Sequence, residues 1–64
     1  MQYTKTLLNQ GLKKFNQKKI DEAKTIFKRI LDIDQNNLEA NHALGVCYGS
    51  TNDHVNAKNY FEKA

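Results

Sequence analysis

Apolar residues recur along this chain at intervals of three and four, and short polar clusters cut the recurrence into four stretches. In the first, Leu7, Leu8, Gly11, Leu12 and Phe15 fall on one face of a helix with about 3.6 residues per turn, until Asn16-Gln17-Lys18-Lys19 interrupts them. The second stripe is Ile20, Ala23, Ile26, Phe27, Ile30, Leu31 and Ile33, with Lys24, Lys28 and Asp32 on its outer side. It ends in Asp34-Gln35-Asn36-Asn37, whose short side chains compete for backbone hydrogen bonds, so that Asn36 or Asn37 can cap the next helix. Asn36 followed by Glu39 has the spacing of a capping box. The third stretch holds Leu38, Ala40, Ala43, Leu44, Val46, Cys47 and Tyr48 and is broken by Gly49-Ser50-Thr51-Asn52-Asp53. The fourth runs from about His54 to the last residue, with Asp53 as its cap and Ala57, Tyr60, Phe61 and Ala64 on one side. No stretch alternates as a half-buried strand does, and the pattern predicts an all-α fold.

An offset of 34 residues superposes Gly11 on Gly45, Ala23 on Ala57, Lys24 on Lys58 and Phe27 on Phe61. The later copy reads Asn41-x-x-Leu44-Gly45-x-x-Tyr48 and then Ala57-x-x-x-Phe61. The earlier one reads Leu7-x-x-Gln10-Gly11-x-x-Lys14 and then Ala23-x-x-x-Phe27. This resembles a tandem of tetratricopeptide repeats, in which Trp-x-x-Leu-Gly-x-x-Tyr on a first helix precedes Ala-x-x-x-Phe on a second. The resemblance implies two antiparallel helix-turn-helix hairpins stacked as an α-α solenoid, one domain over 1–64 with repeat one at 4–37 and an incomplete repeat two at 38–64. Small residues permit close helix approach, so Gly11 is expected to face Ala23 and Gly45 to face Ala57, with Phe27 and Phe61 filling the space beside them. Tyr48 completes this packing signature. The earlier copy departs from the pattern at Gln10 and Lys14, Lys19 stands where the family has a turn aspartate, and Gln35 where it has a helix-ending proline. Without that proline the junction after Ile33 is expected to be less firmly broken, which would permit a straightened, domain-swapped form.

First helices of such repeats line a concave groove. The resemblance therefore implies a partner-binding lining of Lys5, Leu8, Leu12, Phe15 and Asn16, joined by Glu39, His42, Val46, Gly49 and Ser50. For Leu8, Leu12 and Phe15 two readings stand: an apolar seat for a peptide or partner helix, or core of an undersized fold. Positions at which some relatives carry Lys and Asn to grip a terminal carboxylate hold Leu8, Leu12 and Ala43, which gives no basis for such a clamp. Repeats bury their faces against neighbours, so Tyr60, Phe61 and Ala64 are expected to meet further repeats or a second copy.

Composition narrows the classes. A chain of 64 residues makes one small domain, which buries only about 60% of its unfolded surface. No apolar run approaches the roughly 20 residues a membrane helix needs, and the start lacks a secretory pattern, so no membrane partner and a cytoplasmic location are expected. Cys47, His42 and His54 match no metal-ligand spacing, and no serine or acid is placed to form a relay, so neither metal, cofactor nor catalysis is expected. Cys47 reads as a small buried residue. Residues 1–31 hold eight Lys/Arg against two acids, whereas 32–64 hold two against five, so the halves are electrostatically complementary. Lys13, Lys14, Lys18 and Lys19 cluster at the tip of the first hairpin. No aromatic residues interleave with them as stacking on nucleic acid requires, and they read as a solvated tip. The expectation is a non-catalytic protein-interaction or self-assembly module. The alternatives are the N-terminal region of a larger enzyme or, more weakly, an electrostatic nucleic-acid binder.

Overall fold

The structure, a computed structural model, describes residues 2–64 as four helices: α1 (Gln2–Asn16), α2 (Ile20–Ile33), α3 (Leu38–Ser50) and α4 (His54–Lys63). Helices α1 and α2 form one hairpin, α3 and α4 a second, and α3 lies over α2 with lighter contact to α1. Where the hairpins meet, Leu7, Ala23, Phe27, Ile30, Ala40, Ala43, Leu44 and Cys47 form the core. Phe27 and Ile30 are the largest α2 side chains removed from water, and burial on this scale contributes about 1.5–3 kcal/mol each. The stripe that defined the second stretch is thus the main seam between hairpins.

The two hairpin turns share one backbone design. At the end of α1, Lys18 N–H donates to Phe15 O and Lys19 N–H to Lys14 O; at the end of α3, Asn52 N–H donates to Gly49 O and Asp53 N–H to Tyr48 O. Both are Schellman motifs, which need one residue in the left-handed region, here Lys18 at φ 66° and Asn52 at φ 64°. The next residue in each turn is also the N-cap of the following helix. Asp53 accepts from the Asn56 amide at 3.3 Å, but Lys19 has no acceptor to offer and caps nothing. α3 continues through Gly49 and Ser50, beyond the break expected there. The Ser50 hydroxyl bonds back to Val46 O, and Asn52 in the left-handed region is what ends the helix.

The junction between α2 and α3 is held by side chains in place of proline. Asp34 Oδ1 accepts from Asn36 N–H at 3.2 Å, and Asn37 Oδ1 accepts from Ala40 N–H at 2.8 Å. The cap is therefore Asn37 and not Asn36, so its third residue is Ala40, and the Asn36–Glu39 capping box is not formed. Buried Asn41 donates from Nδ2 to Gln35 O and Asn37 O, tying α3 to the loop before it, while its Oδ1 accepts no bond among the described residues.

Phe27 and Phe61 fill the space beside the two repeat glycines. A Cβ placed on Gly11 would overlap the Phe27 ring, and one on Gly45 would stand 2.6 Å from Phe61 ring atoms. The atoms nearest to each of these two glycines thus belong to an aromatic ring. The Ala57 methyl lies 4.0 Å from where a Cβ on Gly49 would stand. An aromatic ring four residues beyond the alanine reaches across the hairpin into the space a missing side chain leaves.

Candidate functional site

Between α1 and α3 the surface opens into a groove of about 620 Å³, lined on one side by Leu8, Leu12 and Phe15 and on the other by Leu38, Glu39, His42, Ala43 and Val46. Phe27 contributes to its lining from α2, and Ala64 from the end of the chain. Both walls come from first helices of the hairpins. Leu8, Leu12 and Phe15 face the groove because spacings of four and three bring them round to one side of α1. They divide the two readings of the trio: Leu8 and Phe15 are half-buried against the core, while Leu12 remains 43% exposed. Across from it Leu38 is 62% exposed. Covering the area still exposed would contribute roughly half of the about 1.5–3 kcal/mol that full burial of a leucine gives, for each of them, which is enough to matter for docking.

Of the residues expected to bind a partner, Leu8, Leu12, Phe15, Glu39, His42 and Val46 share this groove. Lys5 lies beside it, in a more polar depression of about 530 Å³ with Asn9, Asn37 and Glu39. Asn16, Gly49 and Ser50 line neither. Phe27, Leu38 and Ala64 were not expected in the groove; Leu38 occupies the first position of α3, where the stripe pattern does not separate a core leucine from a rim leucine.

The residues assigned to the open end part ways. Tyr60 stacks on Tyr48 within the chain, with ring centroids 5.4 Å apart and planes at 4°, so it is half-buried. Lys24 and Lys28 stand over the Tyr48 ring with Nζ at 4.8 and 5.7 Å from its centroid. The Tyr48 hydroxyl, chiefly, holds the Lys28 ammonium above its ordinary pKa. Phe61 lies against the His42 ring at 5.5 Å but remains 43% exposed.

Titratable chemistry is sparse. Cys47 is fully buried, and desolvation pushes its thiol pKa up, the setting of a packing residue and not of a nucleophile. Hydrogen bonds from the Asn56 side chain and backbone hold the Asp53 carboxyl below its ordinary value, as befits a helix cap. Among the described residues no group of three His, Cys, Asp or Glu side chains is placed to hold a metal ion, and no helix is long and apolar enough to cross a membrane.

A family model described as tetratricopeptide repeat matches the chain twice, over residues 4–37 and 38–64. No curated protein and no solved structure matches the chain.

Proposed function

From the premise that this chain belongs to the tetratricopeptide repeat family, a class of protein-interaction modules that is typically non-catalytic, we propose that the α1–α3 groove binds a short segment of a partner protein through apolar side chains. The observation that carries this is the pair Leu12 and Leu38, two leucines left 43% and 62% exposed on facing walls of a groove whose floor is already apolar. A volume of about 620 Å³ lies within the range of about 300–1,000 Å³ that holds a compact ligand, so it takes a few side chains and not a whole domain. A helix laying its apolar stripe along α1 and α3 matches that shape. Glu39 and His42 at one rim supply polar contacts that orient it. The test is selection from a library of amphipathic peptides, followed by mapping of amide shifts on addition of a selected peptide. Shifts are expected at Leu8, Leu12, Phe15 and Val46, with binding lost in Leu12→Asp, an exposed position where the fold persists. Shifts confined to other surfaces, or equal binding by Leu12→Asp, would overturn the reading.

A second reading, self-association, is favoured by the exposed Phe61 ring. The arrangement would be tail to tail. The residues with which α3 covers the first hairpin are Ala40, Ala43, Leu44 and Cys47, and their counterparts on α1 are Thr6, Asn9, Gln10 and Lys13, which are polar and exposed. α1 therefore has the character of a polar cap and is ill suited to stack on Phe61 of another copy. Light scattering of the native chain and of Phe61→Ser decides it: concentration-dependent mass abolished by the substitution supports association, and a monomer throughout excludes it.

A further inference from the structure

Lys18 and Lys19 occupy the two positions of the first hairpin turn at which the fold has least use for lysine. Lys18 holds φ 66°, where a Cβ costs about 1–2 kcal/mol and where glycine or asparagine is favoured. Lys19 stands at the N-cap of α2 with no side-chain bond to the helix, and its positive charge opposes the positive end of the helix dipole. The second turn repeats the same backbone bonds, with Asn52 and Asp53 in the corresponding places. The chain itself therefore demonstrates residues that suit this turn. Lys13 and Lys14 differ, because they lie in the last turn of α1, where cations favour the helix, and Lys14 also pairs with Glu22 at 3.5 Å. Lys13, Lys18 and Lys19 are exposed and have no ion pair among the described residues.

We propose that the α1–α2 turn is a second docking surface, separate from the groove, at which Lys18, Lys19 and Lys13 receive an acidic segment of a partner protein. Carboxylates spaced along a flexible segment suit these lysines, each a mobile point charge on a long stem. Nucleic acid fits less well. Phe15, the aromatic residue nearest in the chain, is half-buried against the core and offers no stacking platform.

The experiment titrates the native chain with a deca-glutamate peptide at low salt and follows backbone amide shifts, with oligothymidylate of equal charge run in parallel. Two variants each remove two positive charges: Lys18→Asn with Lys19→Asn at the turn, and Arg29→Gln with Lys58→Gln at exposed sites away from it. Shifts are expected over residues 13–19. The turn variant is expected to bind about tenfold more weakly while melting at a higher temperature, because asparagine suits both positions, and the distant variant is expected to change binding by less than about twofold. Equal weakening by the two variants would reduce the effect to net charge and overturn the proposal. So would tighter binding of oligothymidylate at the turn, which would assign it to nucleic acid, or a turn variant no more stable than the native chain, which would remove the structural cost on which the inference rests. The groove reading is tested separately, because Leu12→Asp leaves the turn intact.

Discussion

Phe27 and Phe61 hold the same place in successive repeats and press on equivalent glycines, yet Phe27 is 1% exposed and Phe61 is 43% exposed. α3 covers the first ring, and among the described residues no helix covers the second. One residue type in one local setting thus becomes core or surface according to what packs on the outside of its hairpin. In a repeat fold, burial belongs to the interface between units more than to the unit.

Truncating the two rings gives the largest contrast. Phe27→Ala is expected to cost about 3–5 kcal/mol, most or all of the stability of so small a domain, whereas Phe61→Ala costs about 1 kcal/mol or less because its ring is half in water already. Thermal and urea unfolding followed by helicity would show it, and equal losses would break the comparison. Next come the glycines. Gly11→Ala drives a methyl into a ring that is locked in the core, and overpacking of about 1–3 kcal/mol outweighs the helix-propensity gain of about 0.5–1 kcal/mol. Gly45→Ala meets a ring free to swing outward, and the two effects nearly cancel, leaving a melting temperature close to native.

The turns yield the third contrast. Lys19→Asp should supply the missing cap of α2 and stabilise the chain by about 1 kcal/mol, while Asp53→Ala lowers the melting temperature; a Lys19→Asp chain no more stable than native would show that the turns are not equivalent. The smallest effect is the pH dependence of Asp53. Its pKa is lowered in the folded state, so the cap contributes fully above the unfolded carboxylate pKa and is lost as pH falls through the folded value. Residue-resolved amide exchange on acidification should show the start of α4 loosening before that of α2, whose cap position is a lysine.

Much of this was legible in the chain itself, and the reasons are local. Stripes at spacings of three and four located all four helices, and the polar clusters located their ends to within a couple of residues, because helix and turn chemistry depend on neighbours a few positions apart. Asp53 as a cap followed from its own side chain. The 34-residue offset gave the pairing of the hairpins, and six of the ten expected groove residues line one groove.

Other features depended on which helix lies over which. Leu7 and Leu12 belong to one stripe, but Leu7 is buried and Leu12 is nearly half in water, since α2 packs against one edge of that stripe and α3 leaves the other open. How closely the Phe27 and Phe61 rings approach the two glycines depends on the direction in which each ring reaches across its hairpin, which spacing alone does not encode. Asn41 is buried where repeat one has Leu7, held by carbonyls of the loop before it. Sequence by itself determined the helices, their breaks and their repetition, for those rest on bonds and periodicities within a few residues. The exposure of Phe61, the open groove and the strained lysine turn were decided by tertiary structure, since each is set by what a neighbouring helix covers or by the backbone path a turn must take.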